Sequence, residues 1–333
     1  MSRPRAMFAA GSPQLFSDLF DEVTLSRLGR VVDLDSSVAT RENAWNAATS
    51  REVEVLITGW GAPRFDHAML QHWPRLRAIV HAAGSVKRLV TPEMWDRGIR
   101  VASAAQANAY PVAEYTLAMI LLSSKRILDS ARTFSHTEDW QSARPLGSFG
   151  GFGSVIGIVG ASRVGRRVIE LLQPFDMSCL LYDPSVSNDE CRRLGATPAS
   201  LEDLMRRADI VSLHAPALPE THHMIGRAEL ALLRDDGVLI NTARGTLVDT
   251  DALVDEIRPG RLRAILDVTD PEPLPPGHAL FGLSGVTLTP HVAGSLGNEL
   301  RRMGVHVTAE VERFVLSGNF LDEVTAPDLA TIA

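Results

Sequence analysis

The run Gly157-Ile-Val-Gly160-Ala-Ser162-Arg163-Val164-Gly165 carries the clearest chemical signature in the chain. An apolar strand, a turn of small residues and a helix succeed one another here. Such a turn lets backbone approach a pyrophosphate, whose charge is met by amides at the helix N-terminus. Asp183 lies 23 residues beyond Gly160, at the end of the next apolar run, where a carboxylate meets ribose hydroxyls. The pair predicts a dinucleotide site; the plainer reading is a structural turn beside a surface acid. A carboxylate repels a 2′-phosphate, so the expected cofactor is NAD and not NADP. Ser162 occupies the middle glycine of G-x-G-x-x-G, which puts a Cβ where backbone should come closest to phosphate. Its hydroxyl compensates as a donor, or cofactor affinity falls.

Four further segments end predicted strands in polar residues. VSLHAPALPETHHMIG carries His214, LINTARGTLVDTDALVDEI carries Arg244, ILDVTDPEPL carries Glu272 and LTPHVAGS carries His291. Each alone has an ordinary reading: a surface ion pair, a structural histidine, an exposed loop acid. His222 and His223 are adjacent, but no carboxylate or thiol beside them completes a ligand pattern, so no metal is expected.

These residues need a scaffold, and the chain is long enough for one. Its 333 residues, 45% apolar and 22% charged, fit two domains, each with its own core. There are 31 arginines, with Lys87 and Lys125 the only lysines, so chemistry needing a lysine has two candidate positions. A net charge of −7 argues against a nucleic-acid partner. Two cysteines, Cys179 and Cys191, are too few for a disulfide framework, which makes a reducing cytoplasm the expected compartment. No apolar run approaches a membrane span; the nearest, 116–122, is far too short. The N-terminus has basic residues but no signal-peptide core.

Alternating apolar runs and amphipathic stretches predict an α/β protein with parallel sheets. Strands are expected at 5–10, 30–34, 53–59 and 76–84, and again at 154–160, 178–183, 209–215, 237–243, 263–268 and 285–290. Ser12 and Pro13 read as the start of a helix, as does Ser200 with Asp203. Apolar helices at 110–127 and 296–318 flank the second strand series, so the chain is expected to leave one domain and return to it. The glycines of 147–153 mark the entry to the second series. Residues 322–333 read as a loose tail.

Taken together, the glycine turn and the four ordered segments resemble the D-2-hydroxyacid dehydrogenase family over roughly residues 50–318. The resemblance implies two doubly wound α/β domains with the cofactor in the cleft. A Rossmann NAD-binding domain (108–291) is then inserted into a flavodoxin-like substrate domain (1–107 and 292–333). It implies a homodimer acting on small 2-keto or 2-hydroxy acids. Arg244 matches the arginine of N-[TS]-[AS]-R-G that holds the substrate carboxylate and keto oxygen, a task suited to a planar guanidinium. His291 matches the general acid/base and Glu272 the glutamate that orients it. A glutamate there disfavours the formate-dehydrogenase branch, which has glutamine. Cofactor contacts are implied at Gly160, Ser162, Arg163, Val164, Gly165 and Asp183, at His214-Ala215-Pro216, at Thr242-Ala243, and at Asp267 and His291. Gly84, Ser85, Val86 and Lys87 align with the loop whose amides bind the substrate carboxylate, but Ser85, Val86, Lys87 and Arg88 stand where Val-Asp-Asn-Ile is usual. Lys87 either adds a positive group for a phosphorylated or dicarboxylic substrate or is a solvated surface lysine. Asn108 and Glu114 match a hinge pattern. Two other readings remain: an NAD-sensing corepressor-like regulator on the same fold, and phosphoglycerate dehydrogenase proper. With so few residues after 318, the serine feedback tied to the long regulatory extension of many such enzymes is not expected.

Overall fold

Apolar runs bounded by small and polar residues become parallel strands, and side-chain caps start the helices that follow six of them. The structure, a computed structural model, describes residues 3–40, 51–145, 149–330 and 332. Two compact units result: one holds the chain up to Ala109 together with Ser295–Ile332, the other Tyr110–Gly294.

The first unit contains strands β1 (Arg5–Ala9), β2 (Asp33–Ala39), β3 (Val53–Thr58), β4 (Ala78–His81), β5 (Arg100–Ser103) and β13 (Glu323–Val324). Their order in the sheet is β13-β5-β4-β3-β1-β2. Helices α1 (Pro13–Leu19), α2 (Glu22–Val31), α3 (His67–Leu70), α4 (Pro92–Asp96) and α13 (Leu300–Ser317) complete the unit, and α5 (Ala105–Ser124) begins in it. Ser12 caps α1 by accepting from the Gln14 amide, with Pro13 in the first turn, as its sequence suggests.

Two expectations are corrected here, and one strand is added. Residues 30–31 close α2 instead of opening a strand, because Asp21 caps that helix through the Thr24 amide at 2.8 Å and Leu28 is buried in the core. The expected strand therefore starts at Asp33. Strand β5 has no counterpart among the expected strands, because its four residues form a run too short to stand out. The supposed loose tail supplies β13, which pairs antiparallel with β5 through Glu323↔Ala102 and Val324↔Val101. The Arg100 guanidinium pairs with Glu323 and fastens that edge.

The second unit contains β6 (Val155–Val159), β7 (Ser178–Tyr182), β8 (Thr197–Pro198), β9 (Ile210–Leu213), β10 (Val238–Asn241), β11 (Arg263–Leu266) and β12 (Val286–Leu288). The order β12-β11-β10-β9-β6-β7-β8 is doubly wound about β6, and every pairing is parallel. Its helices are α6 (Ile127–Thr137), α7 (Trp140–Ala143), α8 (Arg163–Leu172), α9 (Asn188–Arg193), α10 (Leu201–Arg207), α11 (Arg227–Leu232) and α12 (Thr250–Ile257), with the rest of α5. Alternate strand residues bury on opposite faces. Ile156, Ile158 and Ile240 pack with Val168, Ile169 and Leu172 of α8, while Val159, Val211 and Leu239 pack with Leu204 and Leu253. Helices cover both faces, which is why these strands read as continuous apolar runs.

Helix α5 starts five residues before the expected 110, so the chain leaves the first unit within a helix. Gly147 lies outside the described residues. No helix among the described residues is long and apolar enough to cross a membrane.

Candidate active site

Polar residues gather beyond the carboxyl ends of the second unit's strands. At β6, Gly160 has φ 98°, and a Cβ there would lie 2.6 Å from the Ala215 nitrogen. A Cβ on Gly165 would lie 2.1 Å from the Gly160 carbonyl oxygen. Both positions therefore require glycine, the first for its dihedral angle and both for space. Ser162 is different: with φ −63° and ψ 176° its backbone suits any residue, and its Oγ accepts from the Gly165 amide at 3.3 Å. The serine caps α8, and Arg163 and Val164 open that helix.

Asp183 follows β7. One oxygen accepts from the Ala161 amide at 2.7 Å, and the other accepts from the amide and hydroxyl of Ser185 at 2.8 and 2.6 Å. The acid thus locks the glycine turn to the second strand. His214 lies beneath that turn, buried, hydrogen-bonded to Ser212 at 2.9 Å and packed through its Cβ near Gly165. Ala215 is buried beside Gly160, with Pro216 next in line. The Thr242 hydroxyl donates to Thr116 at 3.1 Å, since the single Thr116 proton goes to the Val112 carbonyl.

The turn after β10 is built by Asn241, whose role the sequence does not announce. Its Oδ1 accepts from the Ala243 amide at 3.0 Å and its Nδ2 donates to the Arg244 carbonyl at 2.8 Å. Arg244 donates from Nη1 to the Ala243 carbonyl at 2.6 Å, which folds the guanidinium back along the loop. A Cβ on Gly245 would lie 2.0 Å from the Thr269 carbonyl carbon and 2.5 Å from the Asp270 nitrogen. The Arg244 loop therefore rests directly on the loop leading to Glu272. The Glu272 carboxylate meets His291 Nδ1 at 2.5 Å. Both side chains are about half exposed (41% and 53%), and such a pair adds at most about 1 kcal/mol to stability. Its consequence is ring orientation.

Asp267 holds the loop that carries His291. It is 1% exposed; Oδ1 accepts from the Thr289 hydroxyl at 2.6 Å and the Val292 amide at 2.8 Å, and Oδ2 from the Ala293 amide at 2.9 Å. Its carbonyl accepts from the His291 amide at 3.0 Å. His291 sits at φ 55°, a left-handed conformation held by this network. Tyr115 extends it by donating to Thr289 at 2.7 Å, and burial raises the phenol above its usual range. Both oxygens of Asp267 are thus engaged by the loop that carries His291.

In the first unit, buried His81 ends β4 and bonds Thr58 at 2.8 Å. The loop it leads into has Ser85 and Lys87 half-buried, with Gly84 beside them and Val86 turned into the core. The Val86 carbonyl accepts from the Leu89 and Val90 amides, and the Lys87 amide approaches Ser85 Oγ at 3.5 Å. Asn108 accepts from the Ser295 amide at 2.9 Å, joining the two places where the chain leaves and re-enters this unit. Asp270, distant in sequence, brings a carboxylate oxygen within 4.8 Å of a ring nitrogen of both His222 and His223.

A family model described as D-isomer specific 2-hydroxyacid dehydrogenase, NAD binding domain, matches residues 117–293. The chain belongs to that family. A glyoxylate reductase of Aeropyrum pernix is 34% identical over 272 residues, 80% of this chain and 81% of that protein. A D-3-phosphoglycerate dehydrogenase of Mycobacterium leprae is 31% identical over 94% of this chain but only 58% of its own length. Among solved structures, the TT0316 protein from Thermus thermophilus superposes with a TM-score of 0.75 at 28% identity, covering 96% of this chain and all of that one. Rhodotorula graminis D-mandelate dehydrogenase, at 23% identity and TM-score 0.79 over 97% and 98% of the two chains, shares the fold.

The dehydrogenase is thus an NAD-dependent oxidoreductase acting on a CH–OH group. The residues present fit the cofactor. Gly160 and Gly165 leave backbone where any side chain would collide, and Asp183 is immobilised at the neighbouring strand end.

Two buried histidines give the dehydrogenase a defined acid response. Burial pushes His81 down to about 4 and His214 to about 3, from 6.5. Below pH 6.5 the unfolded chain takes up protons that the folded chain refuses, so stability falls with pH. Between pH 7 and 5 each histidine removes about 2 kcal/mol. Denaturant midpoints at the two pH values should differ accordingly, and His214→Gln should flatten the slope. Equal midpoints in the wild type would contradict it.

Proposed function

We propose that the enzyme reduces small 2-keto acids to D-2-hydroxy acids with NADH, glyoxylate and hydroxypyruvate being the expected size class. The observation that carries this is the 2.5 Å bond between Glu272 and His291 Nδ1, which points the other ring nitrogen, Nε2, away from the carboxylate. When bound, the nicotinamide supplies or accepts the hydride at substrate C2. His291 Nε2 then gives a proton to the ketone oxygen in reduction and takes it from the hydroxyl in oxidation. Arg244 clamps the carboxylate and keto oxygen with parallel donors that a lysine lacks. Arg244→Lys should therefore raise KM for the keto acid. Loop residues Gly84, Ser85, Val86 and Lys87 are assigned to anion contacts by backbone amides. Glyoxylate reductase relatives in Aeropyrum pernix and Thermococcus litoralis, 34% and 33% identical, support the substrate class.

The mycobacterial phosphoglycerate dehydrogenases and the position of Lys87 favour a second reading, in which the substrate carries a phosphate. Faster turnover of 3-phosphohydroxypyruvate than of glyoxylate would select it.

Asp183 sets the nucleotide preference in this account. Fluorescence titration should show NADH binding much more tightly than NADPH; equal dissociation constants would refute the role given to the carboxylate. We further assign a homodimer in the cytoplasm. Helix α6 has no buried residue, and Phe134, Trp140 and Phe152 nearby are 47%, 58% and 90% exposed, apolar surface that a second copy would cover.

A further inference from the structure

We propose that His222, His223 and Asp270 form a binding site for one divalent transition-metal ion of the zinc class. A ring nitrogen from each histidine and a carboxylate oxygen lie within 4.8 Å of one another. Ligand atoms on a tetrahedral zinc are about 3.3 Å apart for bonds of about 2.0–2.1 Å. Both histidines are exposed, so rotation of their side chains closes the difference.

The backbone prepares this arrangement. In an extended segment neighbouring side chains point to opposite faces. His223 instead has φ 52°, the left-handed region that residues with a Cβ enter at a cost. The turn brings the two rings together, stacked with centroids 3.9 Å apart and planes 26° from parallel. The His223 amide donates to the Thr246 carbonyl at 2.8 Å, which fixes the turn to the loop after Arg244. Asp270 is fixed independently: its carbonyl accepts from Thr250 Oγ1 at 3.2 Å, and Gly245 packs on its amide.

Two imidazoles and one carboxylate suit zinc, nickel or cobalt(II); calcium and magnesium prefer oxygen ligands throughout. Water completes the coordination, because the three protein ligands leave positions open. The buried thiols of Cys179 and Cys191 do not compete for the ion. An ion here would tie residues 222–223 to the strand-end loop two residues before Glu272.

Untagged protein, titrated with zinc chloride by calorimetry in a non-coordinating buffer at neutral pH, tests this beside His222→Gln and Asp270→Asn. The expected result is one ion per wild-type chain, with affinity at least about tenfold weaker in each variant. Zinc should also raise the wild-type Tm and leave both variants' Tm unchanged. Absence of saturable binding, or equal affinity in all three proteins, overturns the proposal.

Discussion

Replacing His291 by alanine should lower turnover by about 10²–10⁴, the usual contribution of a positioned acid/base group. The fold should barely notice. The side chain is half exposed, its pair with Glu272 adds little stability, and the loop is held through the backbone of residues 291–293. The informative outcome is therefore a split: turnover collapses while the unfolding free energy stays within about 1 kcal/mol of wild type. Steady-state kinetics and urea unfolding of the same preparation would show it. Wild-type turnover in the alanine variant would remove His291 from the mechanism.

Asp267→Asn should damage both properties at once. The carboxylate accepts three hydrogen bonds in a site almost closed to water. Asparagine has the same shape but only one accepting atom. Placing its oxygen at Oδ1 keeps Thr289 and Val292 satisfied, yet sets an NH₂ against the Ala293 amide. Placing it at Oδ2 loses the other two partners. Hydrogen bonds to a charged group contribute about 1.5–3 kcal/mol each, so the isosteric change should cost about that much stability. Turnover should fall as well, because the left-handed turn at His291 loosens. A residue that only touched the cofactor would behave differently: KM for NADH would rise and the unfolding midpoint would not move. That pattern would contradict the positioning role assigned to Asp267.

The sequence exposed what depends on local order. Gly160, Ser162 and Gly165 signal a strand–turn–helix within a single short run, and Asp183 falls at the end of the next apolar run. The strand ends at His214, Arg244, Glu272 and His291 are legible for the same reason, since buried parallel strands read as continuous apolar runs. What the sequence hid depends on partners far along the chain. Strand β13 exists because β5, far earlier in the chain, offers an edge and Arg100 holds Glu323. The convergence of Thr289, Val292 and Ala293 on Asp267 is equally invisible along the sequence. Asp270 completes a cluster with His222 and His223 that no local spacing reveals. Asn241 was visible as part of an N-T-A-R-G motif, but its role as the side chain that shapes the Arg244 turn emerges only in three dimensions.

The central claim is reduction of a small 2-keto acid at the expense of NADH. Loss of NADH absorbance, measured with glyoxylate, hydroxypyruvate, pyruvate and bulkier 2-keto acids, tests it most directly. Rapid oxidation is expected with at least one of the smaller acids, slowed by about 10²–10⁴ in His291→Ala. Inactivity of well-folded, NADH-binding protein across the whole panel would contradict it and favour a nucleotide-sensing role instead.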